Sequence, residues 1–266
     1  MAIDFHHEQN RFSYTNREVD SSWLEEMNTI LEAYAPQHVV DLGCGGGIYS
    51  RVLAERGVSN VTGVDSSKTM IQTAEEEASS SKAVTYQVGS ATEMNLSSNA
   101  ADMVFARALI HHLKDLAPAF EEGNRVLKRD GLYLIQTRTP EDCFLPGSAE
   151  HLRGYFFHCY PHLKEIETRR RHPVKGIHSA LQGAGFQIEK TWHLWETRAE
   201  HETKQQFLDD IRLRKGRSLL HELSDQQLEI LVAYLDRSIQ GEKRIVEKDR
   251  WTLILAKKQY KSLTQR

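Results

Sequence analysis

The nine residues Val39-Val40-Asp41-Leu42-Gly43-Cys44-Gly45-Gly46-Gly47 set an apolar run, an acid and a glycine-rich turn in direct succession. Glycines at such a turn let main chain approach a ligand that a Cβ would hold away. The next apolar run, Val61 to Val64, also ends in an acid, Asp65. An acid there can accept hydrogen bonds from two neighbouring hydroxyls, as on the ribose of an adenosine. The dinucleotide fingerprint G-x-G-x-x-G is similar but fails in both registers, because its third glycine would fall on Ile48 or Ser50. A nicotinamide-dependent oxidoreductase is disfavoured on that ground. Further on, His111-His112 offer a proton acceptor within an apolar stretch, and a packed structural histidine stands beside that reading. Neither this pair nor His158 with His162 suits a metal, since adjacent positions diverge on a helix and Pro161 interrupts the other spacing.

The elements that must hold these residues alternate. Apolar runs at His38 to Leu42, Val61 to Asp65, Val84 to Val88, Asp102 to Ala106 and Leu132 to Thr137 read as buried strands. Stretches with helical spacing lie between them, at Gly47 to Arg56, Ser67 to Ala78 and about Ala117 to Leu127. A first helix opens at Ser22, where Glu25 completes a capping-box pattern, and stops at Pro36. This β-α rhythm predicts a mostly parallel sheet with helices on both faces and ligands at the carboxyl ends of its strands. Later come a helix over Pro173 to Leu181 and strands at Phe186 to Trp195 and Trp251 to Ala256. Two stretches break the rhythm. Thr139 to Arg171 carries three prolines and no single regular pattern, and about fifty residues before the last strand are helical in spacing, with Ser224 and Gln227 forming a second capping box.

Composition narrows the classes. Among 266 residues, Lys plus Arg is 34 and Asp plus Glu is 37, a net charge of −3 that argues against a surface built mainly for phosphate backbones. No apolar run approaches the roughly 18 residues of a membrane helix. The N-terminal stretch is polar and carries Asp4, unlike a secretory signal, so the expected location is cytoplasmic. Cys44, Cys143 and Cys159 form no zinc spacing and read as reduced thiols.

Five ordered segments resemble the class I S-adenosylmethionine-dependent methyltransferases, in particular the small-molecule branch that includes the ubiquinone and menaquinone C-methylases. They are VVDLGCGGG, VTGVDSSKTM, VTYQVGSATEMNL, ADMVFARALIHHL and NRVLKRDGLYLI, spanning about Val39 to Arg138. The resemblance implies a Rossmann-like, doubly wound, seven-stranded, mostly parallel sheet with an antiparallel last strand, and S-adenosyl-L-methionine as cofactor. It implies one methyltransferase domain over 1–266, with a core of about 20–138, 173–195 and 249–258. The insertions, about 139–172 and 196–248, would form a helical cap, or a decoration elsewhere on the surface.

Carried over residue by residue, the resemblance implies that Gly43, Cys44 and Gly45 pack against the methionine part of the cofactor and that Asp41 holds its ammonium. Asp65 would bind the ribose hydroxyls, with Ser66 and Met70 beside the adenine. The family's usual acid after the third strand is replaced by Ser90 in Gly89-Ser90-Ala91. Adenine recognition would then lean on the Ser90 hydroxyl, the Ala91 N–H, Thr92 or Glu93. Ala106 and Arg107 should line the site, His112 is the candidate general base, and Tyr14 with Arg17 are candidates to close over the cofactor.

Two features bear on the acceptor. Phe144, Tyr155, Phe156, Phe157 and Tyr160 crowd into 17 residues where the 8% aromatic content predicts about one. They suggest an apolar or aromatic acceptor pocket, or else the core of the insertions themselves. Arg169-Arg170-Arg171 and Arg212, Arg214, Lys215 and Arg217 are either solvated faces or an attraction for an anionic acceptor, RNA among them. The expected function is methyl transfer to a small molecule, with nucleic acid a less favoured target. Alternatives are an RNA-directed methyltransferase and a protein that binds the cofactor without catalysis.

Overall fold

A computed structural model of the chain describes residues 19–78, 82–241 and 244–259. In chain order the first elements are α1 (Ser21–Tyr34), β1 (His38–Leu42), α2 (Ile48–Glu55), β2 (Asn60–Asp65), α3 (Lys68–Glu77), β3 (Val84–Val88), β4 (Ala101–Arg107), α4 (Ala117–Val126) and β5 (Leu127–Thr137). Three short helices follow, α5 (Pro140–Cys143), α6 (Arg153–Cys159) and α7 (Leu163–Arg170). The rest comprises α8 (Val174–Gly183), β6 (Phe186–His201), α9 (Lys204–Arg212), α10 (Asp225–Ser238) and β7 (Ile245–Lys258). These elements divide between two compact units. Among the described residues, one takes 19–137, Pro173–Leu194 and 252–259, and the other takes Arg138–His172 and Trp195–Trp251.

Among the described residues seven strands form one sheet, in the order β3-β2-β1-β4-β5-β7-β6. Pairing is parallel from β3 through to β5, and β7 runs antiparallel to β5 with Leu134 opposite Leu255. Alternation along the strands feeds two cores. Val40, Leu42, Val104, Tyr133 and Ile135 belong to one, and Val39, Met103, Phe105, Leu132 and Leu134 to the other. A strand buried on both faces needs apolar side chains at every position, which is why these runs are continuous rather than alternating. Asp41 is therefore an exception that needs a reason: it is a carboxylate in β1, 3% exposed.

The start of α1 differs from the expected capping box. Its N-cap is Asp20, whose carboxylate accepts from the Ser22 N–H at 2.8 Å, so Ser22 already lies within the first turn. An aspartate one residue before the serine pair is an equally good cap and lengthens the helix. The helix closes through Ala35 in the left-handed region, ahead of Pro36.

The second unit has its own apolar centre, in which Phe156, Phe157, Phe207, Leu208, Ile211, Leu228, Leu231 and Leu235 are buried together. The aromatic run belongs to it. Phe144 packs edge-on to Phe157 at 5.1 Å, Tyr155 contacts Tyr234 at 6.2 Å, and the Tyr160 hydroxyl donates to the Gln227 carbonyl. These rings thus form the unit's interior. The capping box before α10 is complete in both directions, Gln227 N–H to Ser224 Oγ and Ser224 N–H to Gln227 Oε1. No helix among the described residues is long and apolar enough to cross a membrane.

Candidate cofactor site

Strand order reverses at β1, which has β2 on one side and β4 on the other. At such a switch point the connections leave in opposite directions and open a crevice at the carboxyl ends of the strands. The glycine loop fills the start of that crevice. Gly43 N–H and Cys44 N–H both donate to the Val64 carbonyl, at 2.7 and 3.1 Å, and Gly47 N–H returns to the Cys44 carbonyl at 3.0 Å. Gly43, Gly45 and Gly47 have φ of +76°, +53° and +77°, a region that side chains make costly.

Two of these glycines are required for different reasons. At Gly47 a Cβ would lie 2.7 Å from Tyr86 Cζ and overlap its hydroxyl, which donates to the Gly47 carbonyl at 3.2 Å. Gly47→Ala is therefore expected to cost about 3 kcal/mol, from left-handed strain of about 1–2 and overpacking of about 1–3. Adding Tyr86→Ala should recover the overpacking part alone, and urea unfolding of the two single variants and the double variant checks this. At Gly45 no atom of the described residues lies within 4 Å of where a Cβ would stand, so among them its bare face is open.

The two acids differ in environment. Asp65 accepts the Gly45 N–H on Oδ2 at 3.0 Å and the Ser67 N–H on Oδ1 at 2.9 Å. A carboxylate has about four acceptor positions, so each oxygen keeps one for a hydroxyl. Asp41 Oδ2 accepts the Ser50 hydroxyl at 2.6 Å inside the fold. Burial pushes its carboxyl up to about 6; the Ser50 bond opposes that, the nearby Asp65 charge adds to it and Arg107 opposes it. Burial also holds the Cys44 thiol well above its ordinary range, which makes it a packing group in the loop and not a nucleophile.

Other sequence-derived candidates lie around this centre. Met70 is buried in the first turn of α3, where its N–H donates to the Ser67 side chain, and Ser66 is exposed beside Asp65. Gly89 N–H donates to the Asp65 carbonyl, so the turn after β3 sits next to Asp65. In that turn Ser90 N–H donates to Glu93 O and Glu93 N–H to Ser90 O, Ser90 Oγ is 3.1 Å from Thr92 Oγ1, and the Ala91 side chain belongs to the core. Arg107 closes β4 with its guanidinium 4.4 Å over the Tyr49 ring. Ala108 then takes a left-handed φ of +51°, and Leu109 covers Gly43 so closely that a Cβ there would meet it at 3.0 Å. His111 and His112 follow in a single 3-10 turn, Ile110–His112, with their rings 4.0 Å apart. His111 is half-buried and His112 exposed. Tyr14 and Arg17 lie outside the described residues. Three contributors were not foreseen: Ser50, which satisfies Asp41; Tyr86, which bolts Gly47; and Arg51, whose guanidinium donates to the Gly46 carbonyl at 2.9 Å.

What this arrangement resembles among known proteins is consistent. Residues 40–135 match the family described as a methyltransferase domain. The chain is 32% identical over 124 residues to the uncharacterized methyltransferase YcgJ of Bacillus subtilis, covering 46% of this chain and 49% of that protein. It is 32% identical over 100 residues to a ubiquinone biosynthesis O-methyltransferase of Pelagibacter ubique, covering 37% and 41%. The matches thus span less than half the length of these curated relatives. The crystal structure of Bacillus subtilis YcgJ superposes with a TM-score of 0.57 at 19% identity over 89% of this chain and 98% of that one, a likeness of fold. The glycine loop and both acids fall inside residues 40–135, the segment that matches the methyltransferase domain family.

Proposed function

We propose that the protein transfers a methyl group from S-adenosyl-L-methionine to a small-molecule acceptor. The observation that carries this is the pairing of Gly45 and Asp65: an open glycine face beside a carboxylate with one acceptor position left on each oxygen. The donor set suits an adenosyl group that also bears an ammonium, for which the buried Asp41 supplies the opposite charge. When bound, the cofactor supplies an electrophilic methyl on a sulfonium whose leaving group departs neutral.

The chain's own work is binding and alignment. Asp65 holds the ribose hydroxyls, Gly43, Cys44 and Gly45 admit the methionine part, and Asp41 fixes its charged end. Ser66 and Met70 flank the adenine, the Ser90-Ala91 turn faces its amino group, and Arg107 lines the crevice near Asp41. His112 takes a proton from the acceptor where the acceptor atom carries one. The proposed setting is the cytoplasm, in keeping with Cys44, Cys143 and Cys159 all being free thiols.

Calorimetry should show micromolar binding of S-adenosylmethionine and S-adenosylhomocysteine and none of NAD, followed by methyl release in a metabolite panel. Absence of binding by the folded protein would overturn the reading. His112→Ala should lower turnover about a hundredfold at saturating acceptor and flatten its pH profile; unchanged turnover removes His112 from the reaction. RNA as acceptor loses support from the basic runs, because Arg169, Arg170, Arg212, Arg214 and Lys215 already pair with Glu165, Glu222, Asp209, Asp225 and Asp210.

A further inference from the structure

The other two members of those basic runs, Arg171 and Arg217, behave differently. Both are buried in the second unit and join a continuous ionic network there. Arg171 and Arg153 share Glu167, at 2.8 and 3.0 Å. Arg153 also reaches Asp249, on which Arg138 at 2.7 Å and Arg198 at 3.5 Å converge. Arg198 bonds Glu247 at 3.0 Å, and Glu247 receives Arg217 as well. Five guanidinium groups are therefore joined through three carboxylates. Glu196, buried in the same unit, still leaves positive charge in excess when it is counted.

Charge taken out of water has to be matched within the fold, and an arginine offers five donors that each need an acceptor. Here the match is incomplete. Arg138 Nε and Arg217 Nε are buried without a hydrogen-bond partner among the described residues, and so is Arg153 Nε, whose nearest opposite charge is Asp249 Oδ1 at 3.5 Å. The deficit centres on Asp249, one carboxylate facing three cations. Burial lowers the Arg138 pKa and takes Arg198 down to about 10, with neighbouring guanidinium groups working in the same direction. Arg138 and Arg198, at 16% and 13% exposed, are the most exposed members, ahead of Arg153 at 8%.

We propose that this network is an oxyanion site: a carboxylate or phosphate group of a small acidic ligand sits against Arg138, Arg153 and Arg198 and supplies the negative charge that Asp249 alone does not. All of its residues lie in the second unit, so the proposal goes beyond the methyl-transfer reading and does not depend on it. Guanidinium forks match such groups in geometry as well as charge.

Inorganic phosphate titrated into the full-length protein at constant ionic strength should bind saturably, and phenyl phosphate binding tighter would assign the site to an organic acid, whereas equal binding would assign it to free phosphate. Arg138→Gln should weaken phosphate about tenfold or more, while Arg169→Gln, at an exposed pair with Glu165, should not. A measurement on the unaltered protein guards against a folding defect: phosphate should protect Arg138 and Arg198 from phenylglyoxal, as mapped by peptide mass spectrometry. No saturable binding, equal loss in both variants, or no protection at these two arginines would mean that the network is structural only.

Discussion

Asp41→Asn is expected to make the free protein more stable at pH 8 and at the same time to weaken its hold on S-adenosylmethionine. The sign follows from the raised pKa. The Asp41 carboxyl titrates near 6 in the fold against 3.8 ordinarily, so between those values the folded chain keeps a proton that the unfolded chain has lost. Stability from this group is fully present below pH 3.8 and is lost as pH rises through 6. At pH 8 the buried charge is offset only in part by the Ser50 hydroxyl and Arg107, and removing it should return about 3 kcal/mol. Asparagine keeps a carbonyl for the Ser50 hydroxyl, so the local bond survives. Urea unfolding should show the variant ahead at pH 8 and the advantage shrinking toward pH 4. Cofactor affinity should fall about tenfold to a hundredfold, the scale of one hydrogen bond to a charged group. For the unaltered protein, affinity for the ammonium-bearing cofactor should decline as pH drops through 6, while affinity for adenosine stays level. A variant that is less stable at pH 8, or binds the cofactor normally, would contradict this account of why a carboxylate sits inside β1.

Asp65→Ala should have the larger effect on binding. It removes the acceptor for two backbone donors, Gly45 N–H and Ser67 N–H, as well as the proposed partner of both ribose hydroxyls. Loss of S-adenosylhomocysteine affinity by at least about a hundredfold is expected, with about 1–3 kcal/mol of stability lost as the loop's donors are left unmatched. The ligand comparison separates the two acids. Adenosine should lose affinity with Asp65→Ala as severely as the full cofactor does, whereas Asp41→Asn should leave adenosine untouched. Equal sensitivity of adenosine to both substitutions would mean that the roles are assigned to the wrong carboxylates.

Much of the first unit was readable locally. Continuous apolar runs, each ending at an acid, glycine or arginine, give strands buried on both faces, and helical spacing between them gives the crossovers. The glycine loop was equally visible, because positive φ at Gly43, Gly45 and Gly47 is a property of each residue by itself. Ser50 carries no such local signal, although it lies in the first turn of the helix that the loop opens. Its role depends on Asp41 pointing into the fold, which is a fact of packing. Tyr86 is further removed: it is a β3 residue whose ring lies over Gly47 and Gly63, two segments away in the chain.

The second unit was less legible. Helices α5, α6 and α7 have 4, 7 and 8 residues, too short to show a full hydrophobic period or to form without tertiary support. The aromatic run at 144–160 allowed either a pocket or a core, since both demand buried rings, and only the partners of Phe156 and Phe157 decide for the core. Seven adjacent or near-adjacent basic residues looked alike in the chain. Five meet surface carboxylates, while Arg171 and Arg217 turn inward to the network around Glu167 and Glu247.

Residue type and short-range spacing by themselves determined the strands, the crossovers, the left-handed glycine turn and the two acids that follow apolar runs, because each of these is a preference of a few consecutive residues. Three-dimensional packing alone decided that β7 enters between β5 and β6, that Asp41 is buried against Ser50, that Tyr86 locks the loop, and that five arginines share three carboxylates. Those outcomes join residues far apart in the chain, and the free energy that selects them comes from burial and charge matching, which exist only once the segments have met.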